Sequence, residues 1–230
     1  MDLNIFLSIL SNEIEERGLK LVVIRNYDTL PQRNSGNDID VIVNENDVSL
    51  WLSILGDICD TNGLTLDVTK KYYYCTKTII HGVDDKFGRL ELDLNNRFEW
   101  RGLKFYSSDS LISNSIRFNR EIYTSSNELS AFITFCHSFL YGGFIQRKYS
   151  KEYKLLTTEK GKVQFKELSS PFMSFKDIDK ILTSLEDEKY DLSKFEINII
   201  RIKILLKSII YKPFKTTKGF LYSLYYDFFC

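Results

Sequence analysis

The block Asp38-Ile39-Asp40-Val41-Ile42-Val43 constrains this chain more than any other stretch. Its apolar, β-branched character predicts a buried strand, and along a strand alternate side chains turn to opposite faces. Asp38 and Asp40 therefore share one face while Ile39 and Val41 turn to the other. Two anions so close raise each other's pKa unless a divalent ion or basic groups neutralise them. Carboxylate oxygens are hard ligands, suited to Mg²⁺ or Mn²⁺.

A third carboxylate is offered by Gly88-Arg89-Leu90-Glu91-Leu92-Asp93-Leu94-Asn95. Strict alternation sends Leu90, Leu92 and Leu94 to the core and leaves Glu91 and Asp93 on the opposite face. Should this strand lie beside the one that opens at Asp38, one of the two acids completes a cluster able to hold one or two ions about 3.5–4 Å apart. Such a cluster is suited to phosphoryl transfer.

The surrounding pattern alternates helix and strand. Leu3, Phe6, Leu7, Leu10 and Ile14 have helical spacing and Gly18 follows as a left-handed cap, so residues 2–17 read as an amphipathic helix. Leu19 to Ile24 reads as a strand covered on both faces, and Tyr27 to Asn37, with Pro31 and Gly36, as a loop or short helix. Asn44 or Asn46 is expected to cap a second helix carrying Val48, Trp51, Leu52, Leu55 and Cys59, with Gly63 beyond its end. Leu64–Val68, Tyr72–Ile80 and Phe87–Leu94 should be antiparallel neighbours, parted by turns at residues 69–71 and 81–85. The expectation is an α+β fold: a mixed sheet with flanking helices over residues 1–105, then a mainly helical C-terminal region, 106–230. In that region Ser125 with Glu128, Ser174 with Asp177 and Ser193 with Glu196 read as helix starts, and residues 157–171 as the polar, flexible segment.

Composition removes several classes. Lys+Arg and Asp+Glu number 31 each, so no global field marks a DNA-binding protein. Four dispersed cysteines and two histidines lack zinc-site spacing and fit a reducing cytosol. The first residues show no basic leader, and even Ile197–Ile210 is broken by Arg201, Lys203 and Lys207, so no spanning helix is expected.

The order helix, strand, polar turn, D-x-D strand and later h-D-h strand resembles the nucleotidyltransferase superfamily related to polymerase β, over about residues 1–105. The resemblance implies Asp38, Asp40 and Asp93 as metal ligands and catalytic carboxylates, a nucleoside triphosphate co-substrate, and a Gly-Ser phosphate grip after the first strand. Arg25-Asn26 stand where that pair would be. Arg25, Asn26 and Gly36 are thus the candidate nucleotide-binding positions: Arg25 as a bidentate phosphate contact or as a partner for an acid, Asn26 as a cap, Gly36 as a positive-φ turn. Residues 24–31, the Gly-Asn-Asp-Ile-Asp block and Glu99-Trp100-Arg101-Gly102 look like uncharacterised bacterial nucleotidyltransferase-like proteins of surface-polysaccharide synthesis. That narrower likeness implies a small acceptor: a sugar, a sugar phosphate or a glycan precursor.

The remaining signals have plainer readings. Trp100 reads as packing or, with Arg101, as a stacking surface for a base or sugar, His137 as a core histidine and His81 as part of a turn. Residues 196–230 set six Lys or Arg against Glu196 and Asp227 among aromatic and branched residues. This is a core helix followed by a packed aromatic strand, or else a peripheral membrane contact on an anionic bilayer. Two other functions compete with a transferase for small acceptors: a nucleotide-binding module without turnover, and a toxin-neutralising nucleotidyltransferase acting on protein or RNA.

Overall fold

The computed structural model describes residues 1–34, 38–82, 88–188, 190, 192–211, 213 and 216–221. The fold is α+β. Residues 1–98 and 107–125 form one compact unit, and residues 99–106 with those from 126 onward form a second. The first unit thus takes up part of the region expected to be helical.

In the first unit α1 (Leu3–Glu16) is capped by Asp2, whose carboxylate accepts from the Ile5 amide, and is followed by Gly18 at φ 73°. β1 (Val22–Val23) pairs antiparallel with β2 (Asp38–Ile42), and Ile24 N–H still donates to the Asp40 carbonyl. A 3₁₀ turn at Glu45–Asp47 precedes α2 (Val48–Asn62), so neither Asn44 nor Asn46 is its cap. Gly63, at φ 65°, closes α2 in the left-handed conformation that glycine reaches at little cost.

β3 (Thr65–Lys71), β4 (Cys75–His81) and β5 (Arg89–Asn95) run antiparallel to one another as expected. The turn between β3 and β4 lies at Tyr72–Tyr74 rather than at residues 69–71. β3 is an edge strand with exposed faces, where lysines cost nothing to keep in the ladder. β6 (Phe98–Trp100) and β7 (Leu103–Tyr106) make a separate two-stranded ribbon. After α3 (Ser108–Ser113), β8 (Ile116–Arg117) and β9 (Tyr123–Thr124) return to the main sheet. Two-residue strands give no periodic signal, so these were invisible to pattern reading.

The main sheet has the order β3-β4-β5-β2-β1-β9-β8. Its central pair, β2 with β5, is parallel and lies between antiparallel ladders, and β1 with β9 is parallel as well. Phe6, Leu7, Leu10 and Ile14 of α1 and Trp51, Ile54, Leu55 and Ile58 of α2 pack with Ile39, Val41, Leu90, Leu92 and Leu94. Each such buried side chain contributes about 1.5–3 kcal/mol relative to exposure. The helices therefore cover the face that carries these apolar residues, and the acids of β2 and β5 lie on the other.

The second unit is helical: α4 (Asn127–Cys136) running into a π-helical turn at His137–Gly142, then α5 (Ser150–Leu156), α6 (Glu159–Ser169), α7 (Phe175–Glu186) and α8 (Lys194–Tyr211). Ser126, not Ser125, caps α4. Ser174 and Ser193 cap as expected, each accepting from the amide three residues on. Residues 157–171 are mostly helix, because Gly161, Phe165 and Ser169 recur at intervals of four and are buried, and Thr158 caps them. Phe165 meets Phe132 and Phe135 edge-on at 5.8 and 5.1 Å.

His137 is exposed and stacks on Tyr141, correcting the core reading. Trp100 is buried, with the Arg101 and Arg201 guanidiniums over its ring. Residues 216–221 are helical where an aromatic strand was expected; residues 222–230 lie outside the described ones. No helix among the described residues is long and apolar enough to cross a membrane.

Candidate metal centre

The parallel register between β2 and β5 sets Asp40 beside Asp93 and Asp38 beside Glu91. Alternation then brings Asp38, Asp40 and Asp93 to one face, and each offers an oxygen within 4.8 Å of the others'. Adjacent ligands around an octahedral magnesium ion are about 3 Å apart, so the three carboxylates would draw together by side-chain rotation to share one ion. Glu91 stays out of the group and pairs with Arg89 at 2.6 Å.

Asp40 and Asp93 are both buried, at 7% and 6% exposure. Cations attend two of the acids. The Arg25 Nε donates to Asp40 Oδ2, and the Lys77 ammonium donates to Asp93 Oδ2 at 2.7 Å. Asn95 adds an amide donor to Asp40 Oδ1 at 3.2 Å and a second to the Asp93 carbonyl at 3.1 Å. Asp38 has no ion-pair partner among the described residues, so three carboxylates face two cations.

The electrostatics follow from that imbalance. Burial raises the Asp38 carboxyl above its ordinary value, Asp40 raises it further, and Arg25 and Lys77 oppose the rise. Asp93 is raised by burial in spite of its bond to Lys77, with Asp40 and Asp38 adding to the shift. Burial pulls the Lys77 ammonium down, but the hydrogen bond and charge of Asp93 more than reverse it. Asp93 Oδ1 is buried without a hydrogen-bond partner among the described residues. An acceptor-only oxygen in that state calls for a cation or a proton.

Asp38 and Asp40, set on one face by alternation, and Asp93, preferred over Glu91 by the family likeness, are therefore brought together. Arg25 sits on Asp40, the acid-partner alternative for that residue. Asn26 is exposed in the left-handed conformation at φ 59° and makes no cap to a helix. Gly36 lies outside the described residues. Lys77 and Asn95 were missed. Lys77 stands on the polar face of an alternating strand, a signal any solvated lysine gives, and only the register Lys77↔Asp93 reveals its partner. His81, expected in a turn, ends β4 and lies 3.3 Å from Asp67.

No protein-family model matches this chain, and no curated protein matches it. Among solved structures it is similar to the crystal structure of JHP933 from Helicobacter pylori, at 14% identity, 96% of each chain covered and a TM-score of 0.46.

Proposed function

We propose that this chain is a Mg²⁺- or Mn²⁺-dependent nucleotidyltransferase that moves a nucleotidyl group from a nucleoside triphosphate to a small hydroxylated acceptor, a sugar or sugar phosphate. The observation that supports it is the meeting of Asp38, Asp40 and Asp93, from two parallel strands, with oxygens within 4.8 Å of one another. A divalent ion held by these three would neutralise the triphosphate and make the acceptor hydroxyl easier to ionise. Arg25, on the β1 side of the carboxylates, presents a planar fork suited to phosphate oxygens. Asp93, one oxygen of which is unpartnered among the described residues, would complete the ion's ligands and orient the acceptor hydroxyl. Asn95 and Lys77 fix the Asp40 and Asp93 side chains. A nucleoside triphosphate donor fits a reaction in the cytoplasm.

A second reading, a nucleotide-binding module without turnover, has one observation in its favour: Arg25 and Lys77 already neutralise two of the carboxylates. Pyrophosphate release separates the two. With Mg²⁺, a nucleoside triphosphate and a panel of sugars and sugar phosphates, the wild type should release pyrophosphate and Asp40→Asn should not. Nucleotide binding with no release from the wild type on any acceptor favours the module, and equal turnover in Asp40→Asn sinks the mechanism. Of the basic residues of the tail, Lys203 and Lys207 of α8 are engaged with Asp177 and with the Ser170 and Met173 carbonyls.

A further inference from the structure

The polar face of the sheet does not end at the carboxylates. Reading outward along the register, Asp40 on β2 is beside Asp93 on β5, Asp93 beside Lys77 on β4, and Lys77 beside Lys70 on the edge strand β3. Strands are about 4.8 Å apart, so Lys70 stands about 10 Å from Asp93 along this row. Two lysines directly opposite each other on adjacent strands repel. Asp93 answers only one of them, since its Oδ2 is held by Lys77.

Lys70 is exposed, and among the described residues its ammonium has no carboxylate partner and lies over the Tyr72 ring at 4.9 Å. Tyr72 in turn stacks on Tyr74, with ring centres 5.6 Å apart and planes within 15°. The turn that joins β3 to β4 therefore holds an aromatic platform beside an unneutralised cation. The neighbouring cations are otherwise placed: Lys71 pairs in register with Thr76, on the other face, and Arg97 lies over Tyr73 and pairs with Glu45. At the far end of β3, Asp67 is occupied with His81.

Sheet order separates this platform from Arg25. Arg25 follows β1, on one side of the carboxylates, while Lys77, Lys70 and the tyrosines lie on the other, past Asp93. If Arg25 attends the donor's phosphates, the Asp93 side is left for the acceptor. We propose that Lys70, Tyr72 and Tyr74 seat a phosphorylated, ring-bearing acceptor, a sugar phosphate or a mononucleotide. Its phosphate rests at Lys70, its ring lies against the tyrosine pair, and a free hydroxyl points to Asp93. Base and sugar rings pack against aromatic edges as well as faces, and a phosphate beside Lys70 pairs with a cation that no carboxylate answers among the described residues.

The transfer balances: the acceptor hydroxyl oxygen bonds to the α-phosphorus of the nucleoside triphosphate, and the bond from that phosphorus to the α,β-bridging oxygen breaks. Pyrophosphate leaves with the electron pair, and the hydroxyl proton is released to water. The inference rests on the nucleotidyltransferase reading, and its test is built to fail separately.

The test is calorimetric titration of the full chain with glucose 1-phosphate, AMP and unphosphorylated glucose, and in parallel with MgATP, for the wild type, Lys70→Ala and Tyr72→Leu. At least one phosphorylated probe should bind the wild type, and which one does so distinguishes sugar from nucleotide. Glucose should bind far more weakly. Each substitution should weaken the phosphorylated probe by about tenfold or more, the loss of one charge-assisted or stacking contact, and leave MgATP affinity unchanged. Both side chains lie on the edge strand or its turn, and unchanged melting curves will show that the variants fold. Failure of both phosphorylated probes to bind the wild type overturns the proposal, as does wild-type affinity in both variants. Weakened MgATP binding in Lys70→Ala assigns the lysine to the donor and overturns it too. Absence of MgATP binding by the wild type instead strikes the reading beneath it.

Discussion

Asp38→Asn should make the protein more stable without a divalent ion and less stable with one. The carboxylate group holds three acids against the Arg25 and Lys77 cations, and Asp38 has no ion pair among the described residues. Its carboxyl is raised by burial and by Asp40. A raised acid ionises in the unfolded chain before the folded one, so at neutral pH its charge subtracts from stability. The neutral amide removes that cost and should lift the melting temperature in EDTA. With Mn²⁺ at one hundred times its dissociation constant, the wild type should gain about 2.7 kcal/mol. For a chain of 230 residues each kcal/mol is worth about 2–4 °C, so the expected shift is about 5–11 °C. Asn supplies one neutral oxygen in place of a charged one, and the shift should shrink to about 2 °C or less. Scanning calorimetry at constant ionic strength, in EDTA and in MnCl₂, reads both effects. An unshifted wild type, or an equal shift in the variant, would refute the reasoning.

Three further outcomes are expected. Lys77→Met should lower stability in EDTA by about 1.5–3 kcal/mol, the worth of a hydrogen bond to a charged group, and enlarge the Mn²⁺-dependent gain, because the ion no longer competes with an ammonium for Asp93; equal gains in both proteins would count against shared use of that oxygen. Phe165→Ala, which removes a ring packed on Phe132 and Phe135, should cost about 3–5 kcal/mol in denaturant unfolding, and a loss under about 1 kcal/mol would contradict the packing described. Burial pushes the Asp177 carboxyl up, but the Ser174 hydroxyl and the Lys203 ammonium outweigh it and hold the group below its ordinary value. Its contribution is therefore full above the unfolded value near ~3.9 and is lost as pH falls through the folded one, so Asp177→Asn should flatten stability against pH below about 4.

The sequence alone revealed what obeys a period. Asp40 and Asp93 were legible because each lies between core residues of an alternating strand, and Asp38 because it stands two residues before Asp40 on the same face, so the same pattern that builds the sheet announces which side chains face away from it. The choice of Asp93 over Glu91 followed from family likeness, and the structure sets Glu91 against Arg89. Lys77, Asn95 and Lys70 could not be read, because their meaning lies in strand register, which depends on the parallel pairing of β2 with β5. β8 and β9 were too short to show alternation, and α6 was hidden by polar residues around a single buried stripe. His137 misled because the α-helical stripe before it passes into a π-turn, which rotates the following side chains off the expected face.

The sheet that carries the acids is not a prefix of the polypeptide. β1 has β2 on one side and, on the other, β9 at Tyr123–Thr124, which is made only after residues 99–106 have gone to the second unit. During synthesis the Asp38 strand can find β5 as soon as residue 95 is available, while Val22 and Val23 keep an open hydrogen-bonding edge for nearly thirty residues more. The nascent chain thus holds its carboxylates before it has sealed the strand beside them, and any break between residues 95 and 123 leaves that seam available to another chain.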